Sequence, residues 1–341
     1  MKTNWIAVIF LGLFLTTACA AQPADATPTP EFGSGSAELD EQATPEVNFT
    51  PEIVATFSAE EALDLAELGQ IAFTASDGGR RDVWLINPDG SNERSLTGEL
   101  ENVFAEAPVW SPDGRTIAFD GVNGDYGTRD ILLVNVDGRE PEQIWLTRSP
   151  GYDCYPSFAA DGETLVYMSE REGNRDLYIM DMDGNDVAQL TDVPAIDYEP
   201  AFSPDGTQIA FVSRRTGKSQ IYVMGADGGN VTQITEIDAL NWRPAWSPDG
   251  EWIAFESWRE GNGDIFIMRP DGSELQQLTT SLAEDGHPHF SPDGRYLVFH
   301  SQRTGNYQLF IMEVEQPENV WHLETESVRA LLPTWSPPTA E

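Results

Sequence analysis

The chain has few cysteines and few basic residues, and each shortage excludes a class of protein. Only Cys19 and Cys154 occur in 341 residues, so no disulfide framework can stabilise the fold. No Cys/His spacing fits a structural zinc site. Lys and Arg number 19 against 57 Asp and Glu, a formal net charge of −38. This balance excludes nucleic acid and anionic lipid surfaces as partners, because both need a basic face. It is compatible with a cationic partner.

Long hydrophobic runs are also scarce, and the clearest one lies at the N-terminus. Trp5–Leu15 is uncharged, too short to span a bilayer comfortably, and preceded by Lys2. With the small residues Thr16-Thr17-Ala18-Cys19-Ala20 that follow, it resembles a bacterial lipoprotein signal. The resemblance implies a signal peptide over residues 1–18 and lipidation of Cys19. The alternative is an A-x-A site at Ala18-Cys19-Ala20, which would release a soluble protein. Both predict export, to the periplasm or the cell surface.

The segment after the signal has no apolar periodicity. Residues 19–57 are rich in Ala, Pro, Thr, Ser and acidic residues, which is typical of a disordered tether. Ser58-Ala59-Glu60-Glu61 then has the pattern of a capping box and predicts a short helix over residues 58–68.

From residue 69 onward the sequence repeats itself. A Ser-Pro-Asp-Gly turn, degenerate in one copy, ends at Gly114, Gly162, Gly206, Gly250 and Gly294, 44 or 48 residues apart. Each repeat contains four strand-like runs, A to D. A precedes the turn (PAF, PAW), B follows it (IAFV, IAFE), C comes next (DLYIM, DIFIM) and D ends at a Leu-Thr or Ile-Thr pair. A second Asp-Gly turn joins C to D.

Counting the strands predicts how the ring closes. The first unit lacks an A strand, and the last A strand, Pro333-Thr334-Trp335, lacks a B strand. The C-terminal strand should therefore complete the N-terminal blade. The prediction is an all-β fold over residues 69–338: a six-bladed β-propeller with four antiparallel strands per blade, expected to be a monomer.

The repeat P-x-[WF]-SPDG-x-x-IAF, followed by DIY-x-M, DG and LT, resembles the WD-like β-propeller repeats of the TolB type. The resemblance covers about residues 69–337. It implies a propeller that binds another protein of the cell envelope.

Strand alternation places the A–B and C–D turns on one face of the disk, called here the hairpin face. The D–A and B–C connections lie on the other, called the loop face. Arg171, Arg215, Arg259 and Arg303 repeat in the B–C loops, which predicts structural contacts between blades.

The residues before each A-strand proline vary instead, and they should surround the mouth of the central channel. They form the predicted binding surface for a protein or peptide with cationic character. The alternative is that these positions are solvated and free to vary. The predicted set is Glu106, Asp153, Tyr155, Asp197, Tyr198, Glu199, Asn241, Trp242, Arg243, Asp285 and His287.

Signals of catalysis are poor. No G-x-S-x-G, H-E-x-x-H or P-loop pattern occurs, so we expect no enzyme, no cofactor and no metal. The alternative is a metal-dependent uronate lyase, because propeller lyases bind a metal through channel histidines. Its basis is the H-x-H spacing of His287 and His289.

Overall fold

The computed structural model describes residues 65, 67–76, 80–100, 103–123, 128–137 and 144–338. The predicted signal peptide, Cys19 and the tether lie outside these residues, as does most of the predicted helix. Within the described part, no helix is both long and apolar enough to cross a bilayer.

The described residues form six antiparallel sheets of four strands each, as predicted. In each blade the A strand comes first and the D strand last. Blade 1 consists of β24 (Arg329–Trp335), β1 (Ile71–Ser76), β2 (Arg81–Ile86) and β3 (Arg94–Ser95). Blade 2 consists of β4 (Val103–Trp110), β5 (Thr116–Asn123), β6 (Arg129–Asn135) and β7 (Ile144–Trp145). Blade 3 consists of β8 (Asp153–Phe158), β9 (Thr164–Ser169), β10 (Asp176–Asp181) and β11 (Ala188–Gln189).

The other three blades repeat this order. Blade 4 consists of β12 (Asp197–Phe202), β13 (Gln208–Ser213), β14 (Gln220–Gly225) and β15 (Thr232–Gln233). Blade 5 consists of β16 (Asn241–Trp246), β17 (Ile253–Ser257), β18 (Asp264–Met268) and β19 (Gln276–Gln277). Blade 6 consists of β20 (Asp285–Phe290), β21 (Tyr296–Ser301), β22 (Gln308–Glu313) and β23 (Val320–Leu323).

The B strands form the centre of each blade and are covered on both faces by neighbouring blades. They are therefore continuous apolar runs, without the alternation of a half-exposed strand. One position in each B strand holds an aromatic ring with 0% exposure: Phe73, Phe119, Tyr167, Phe211, Phe255 and Phe299.

The Ser-Pro-Asp-Gly turns have the predicted geometry. Their glycines have φ between 69° and 73°, a region that side chains disfavour. The Ser203 hydroxyl donates to Asp205 at 2.6 Å and accepts the Gln208 N–H at 3.0 Å, which closes the turn.

The D strands are two residues long in five blades and lie upstream of the predicted Leu-Thr pairs. The threonine hydroxyl takes the place of the next strand residue, because it accepts a backbone N–H of the C strand. The Leu177 N–H donates to Thr191 Oγ1 at 2.9 Å, and the Ile265 N–H donates to Thr279 Oγ1 at 2.9 Å.

The B–C loop arginines make contacts within their own blades, and the prediction of contacts between blades is wrong. Arg215 lies over the ring of Tyr222 at 4.8 Å and pairs with Asp197 at 3.0 Å, both in blade 4. Arg303 likewise lies over Phe310 at 5.2 Å and pairs with Asp285 in blade 6. The B–C loop folds back over its own sheet, so the arginine guanidinium lies against an aromatic ring of the same blade.

The C-terminal strand closes the ring. β24 pairs with β1 in antiparallel register, with Trp335 opposite Ile71. The Ser336 N–H donates to Gln70 O at 2.8 Å, and Trp335 Nε1 donates to Leu68 O at 2.8 Å. Trp335 is buried in one core cluster with Leu65 and Ile71.

Replacing Trp335 by Ala should lower the free energy of unfolding by about 3–5 kcal/mol, because a large buried ring is lost at the closing strand. Urea unfolding followed by far-UV circular dichroism measures the change. Trp145→Ala on the outermost strand of blade 2, where the ring is only half-buried, is the matched control and should cost less. Equal losses would show that closure does not depend on β24.

Candidate binding site at the channel mouth

Each A strand contains a β-bulge next to its proline. The residue before the proline has φ between 48° and 57° in all six blades, although none is glycine. These six bulge residues are Ala107, Tyr155, Glu199, Arg243, His287 and Leu332. The pairing register between A and B strands shifts at the same place. A bulge redirects a side chain, and a strained non-glycine residue is a reason to look for function.

The bulges help to form a central channel of about 630 Å³, which runs along the six A strands from the bulge residues to the Ser-Pro turns of the hairpin face. Five of the six bulge residues line it: Ala107, Tyr155, Glu199, Arg243 and His287. Four of them, on the consecutive blades 3 to 6, are polar or aromatic. The ring of bulges therefore has a chemically varied side on blades 3 to 6 and apolar residues, Leu332 and Ala107, on blades 1 and 2.

Arg243 lies between two buried carboxylates. Its backbone N–H donates to Glu199 Oε2 at 2.9 Å, and its guanidinium lies 3.6 Å from Glu199 and 3.8 Å from Glu256. Burial raises the pKa of both carboxyl groups, that of Glu256 to about 7, while Arg243 opposes the rise. Trp258 Nε1 donates to Glu256 Oε1 at 2.8 Å. The arginine thus joins blades 4 and 5 at the mouth.

A second ion-pair group lies on blades 1 and 2. Glu106 is buried and accepts hydrogen bonds from Arg81 and, at 3.2 Å, from Arg129. Arg129 also lies 3.8 Å from Asp120, whose pKa is raised to about 7 by burial. Glu106 is therefore a structural partner of two arginines.

The histidines of the H-x-H pair occupy different surroundings. The Nδ1 atom of His289 lies 3.2 Å from the Trp335 backbone nitrogen and 3.0 Å from Phe290 O, so it contacts the closing strand and its own backbone. His287 lies beside His300, with ring centroids 6.2 Å apart. Burial lowers the pKa of all three rings, which keeps them neutral. Among the described residues, no group of three potential ligands is arranged to hold a metal.

The predicted binding residues separate into two groups. Asp153, Asp197, Asn241 and Asp285 have 0% exposure and lie between blades. Tyr198 is also buried, with its hydroxyl 2.8 Å from Ser219. Tyr155, Glu199, Arg243 and His287 come together around the channel. Trp242 is half-buried beside them, 6.1 Å from the ring of Trp258.

The sequence interpretation missed other residues near the mouth. Asp120, Glu256 and His300 occupy one B-strand position, where other blades carry Thr, Met or Val. A charged group or a histidine after an IAF-type run was the signal that could have found them. The exposed side chains of the loop face were missed as well. Phe104, Tyr152, Leu282 and Val328 lie on or beside the D–A loops and are exposed, Leu282 to 85%.

Comparison with known proteins agrees with this architecture. The family model of the TolB beta propeller domain matches residues 69–244 and 233–340. The chain belongs to the TolB beta propeller domain family. It is 34% identical over 114 residues to a Tol-Pal system protein TolB from Nitratidesulfovibrio vulgaris. That match covers 32% of this chain and 24% of the relative, so the chain spans about a quarter of such relatives.

Solved structures give the same result for the fold. The crystal structure of TolB from Acinetobacter baumannii aligns with a TM-score of 0.71 and 26% identity, over 80% of this chain and 67% of that one. An oligogalacturonate lyase in complex with manganese aligns with a TM-score of 0.50 and 18% identity, over 74% of this chain and 73% of the lyase. The likeness to the lyase is one of fold alone.

Arg243→Met should destabilise the protein by about 3–5 kcal/mol at pH 8, because two buried carboxylates lose their cation. The loss should shrink toward pH 5, since Glu199 and Glu256 have raised pKa values and take up protons as the pH falls. Denaturant unfolding at both pH values measures this.

Arg269→Met is the control for Arg243→Met, because it breaks pairs with exposed Glu251 and Glu274 and should cost little at either pH. A loss for Arg243→Met that is small, or equal at both pH values, would contradict the ion-pair role.

Proposed function

We propose that this chain is an exported, non-enzymatic scaffold that binds a protein partner through its loop face, around the channel mouth. The observation that carries the proposal is the position of exposed apolar side chains. Phe104, Tyr152, Leu282 and Val328 are large and exposed, and each lies on or beside a D–A loop of the loop face. Exposed apolar groups beside polar ones are typical of protein-binding surfaces.

The hairpin face contains one end of the channel, but its sequence varies little from blade to blade. Its turns are nearly uniform Ser-Pro-Asp-Gly and Asp-Gly sequences with hydrogen bonds inside each turn. The large exposed apolar residues near it, such as Val187, Val231 and Leu275, lie at the start of the short outer strands. The loop face, whose residues vary more from blade to blade, is therefore the more suitable surface for recognising a specific partner.

The chemistry of the partner follows from charge. With 57 acidic and 19 basic residues, the chain attracts a cationic segment and speeds its association. Tyr155, Trp242 and His287 then supply ring surface at the mouth, while Glu199 and Arg243 fix its polar side. Asp153, Asp197, Asn241 and Asp285 would support this surface from below. The similar proteins are named as Tol-Pal system components, which favours a partner in the cell envelope.

A lyase function has less support. It rests on the spacing of His287 and His289, and the part of the chain that the structure describes has no group of three potential ligands arranged to hold a metal.

Leu282→Asp should weaken partner binding at least tenfold without changing stability, because an exposed anchor is replaced by a charge. Leu275→Asp, an exposed leucine near the hairpin face at 46% exposure, is the matched control. The wild-type chain is used to isolate a partner from an envelope extract, and the purified partner is titrated against all three proteins by calorimetry. Equal affinities for all three, or a loss only with Leu275→Asp, would show that the loop face is not the binding surface.

We further propose that Cys19 carries a lipid, which would be the only membrane attachment of a monomer. Mass spectrometry of the mature N-terminus should find a chain that begins at Cys19 with added acyl mass. A chain that begins at Ala21 without lipid would instead support the A-x-A alternative.

A further inference from the structure

Neighbouring blades meet at a repeated pair of side chains. One member is the first or second residue of a C strand, and the other lies three residues before the proline of the next A strand. The Asp197 N–H donates to Arg175 O at 2.9 Å, and the Asp285 N–H donates to Gly263 O at 2.8 Å. Because Arg175 and Gly263 directly precede Asp176 and Asp264, this backbone bond brings the two side chains together in these two pairs.

The identities at these six junctions follow a rule. Three junctions pair two aspartates: Asp130 with Asp153, Asp176 with Asp197, and Asp264 with Asp285. One pairs two amides, Gln220 with Asn241. The other two place an alanine opposite, as Asp82 with Ala105 and Gln308 with Ala330. No junction combines a carboxylate with an amide.

The amide junction shows which hydrogen bonds this position requires. Asn241 Nδ2 donates to Gln220 Oε1 at 3.0 Å, and Arg259 donates to Asn241 Oδ1 at 3.4 Å. The Thr235 hydroxyl donates to the same Gln220 oxygen at 2.7 Å. The A-strand side chain therefore accepts from its own arginine and donates to the preceding blade.

At the aspartate junctions, a carboxyl oxygen takes the place of the Asn241 amide nitrogen, which donates the hydrogen bond between blades. Arg215 donates to Asp197 Oδ2 at 3.0 Å, and Arg303 donates to Asp285 Oδ2 at 2.5 Å. The Oδ1 atoms of Asp197 and Asp285 are fully buried and have no hydrogen-bond partner. Neither Asp153 oxygen has a hydrogen-bond partner either, although the Arg171 guanidinium lies 3.6 Å from Oδ1. A carboxyl oxygen can donate as an amide nitrogen does only when it carries a proton.

The C-strand aspartates provide the matching acceptors. Asp264 accepts the Thr279 hydroxyl at 3.2 Å, and Asp176 accepts the Thr191 hydroxyl at 3.4 Å. Both are buried. Two buried carboxylates at one junction repel each other unless a proton or a cation lies between them.

We propose that each of the three aspartate junctions holds one proton between its two carboxyl groups, so that contacts between blades strengthen on acidification and weaken on deprotonation. The acid–carboxylate pair would supply a hydrogen bond between blades like the one that Asn241 donates to Gln220. The blades would then be held together by a bond that depends on the pH of the surroundings.

The surrounding groups set the pH range. Burial and the facing aspartate raise the pKa of Asp130 and Asp264 to about 6, and the pKa of Asp176 is also raised. Glu260 adds to the rise at Asp264, and Asp192 adds to it at Asp176. Arg303 opposes it at Asp264. A carboxyl with a raised pKa in the folded state binds a proton more tightly than in the unfolded chain. Stability is therefore full at low pH and is lost as the pH rises through about 6.

A divalent cation is the competing occupant of these junctions. It would also satisfy unpartnered carboxylate oxygens. Arg171, Arg215 and Arg303 already place a guanidinium at each junction, within 3.6, 3.0 and 2.5 Å of the A-strand carboxylate. A second cation beside each arginine would be repelled, so the observations favour a proton.

Asp285→Asn tests the proposal, because an asparagine donates to Asp264 without a titratable proton. The unfolding equilibrium constants of variant and wild type are compared from pH 8 to pH 5 in the absence of any binding partner. The wild type should gain about tenfold in relative stability over this range. Asp82→Asn, at the same C-strand position but opposite Ala105, is the matched control and should show a constant ratio. Because no partner is present, the result is independent of the proposed binding function.

The paired substitution Gln220→Asp with Asn241→Asp provides the opposite test by creating a fourth aspartate junction. It should add a further tenfold gain in stability from pH 8 to pH 5, relative to wild type. This variant also keeps the test open if Asp285→Asn does not fold.

Three outcomes would overturn the proposal. The first two are a constant ratio for Asp285→Asn and a paired variant without added pH dependence. The third is a melting temperature of the wild type, but not of Asp285→Asn, that rises with CaCl₂ and falls with EDTA, which would assign the junctions to a cation.

Discussion

Each sheet of the ring is covered on both faces by its neighbours, and the rest of the structure depends on this constraint. Polar groups between blades cannot reach water, and leaving them unpaired costs about 1–3 kcal/mol each. The B strands meet the constraint by being apolar throughout. The C strands meet it with a threonine hydroxyl that accepts a backbone N–H, as Thr191 does for Leu177. Each repeat therefore either avoids buried polar side chains or satisfies buried backbone groups with hydrogen bonds of its own.

The A strands meet a different requirement, because they surround the channel and carry a bulge. A non-glycine residue with positive φ costs about 1–3 kcal/mol, and six such residues occur at one repeat position. The neighbouring blade compensates part of this strain. Asp120 accepts the Tyr155 N–H at 2.9 Å, and Glu199 accepts the Arg243 N–H at the same distance. At these two bulges the backbone N–H is held by the neighbouring blade, so the residue type of the bulge can differ from blade to blade.

The fold could be predicted almost completely from the sequence, since turn residues and apolar runs report local geometry directly. The unpaired A strand ending at Trp335 even predicted ring closure. The D strands lie two residues upstream of their predicted positions. A threonine hydroxyl can accept a backbone N–H as a strand carbonyl does, and the sequence pattern does not distinguish these two kinds of acceptor. The arginine contacts were assigned to the wrong partner, because repetition shows that a contact is structural without showing which blade provides it.

The predicted binding set was harder to interpret, because three adjacent residues before each proline occupy two environments. Residues three before the proline, such as Asp197, point between blades, and their identity follows the preceding C strand: aspartate with aspartate and asparagine with glutamine. Their variety therefore reflects packing. Residues directly before the proline, such as Tyr155 and His287, line the channel, and their variety follows no repeat rule. A binding role is therefore best tested at bulge residues without an ion pair, such as Tyr155 and His287, and at exposed neighbours such as Leu282.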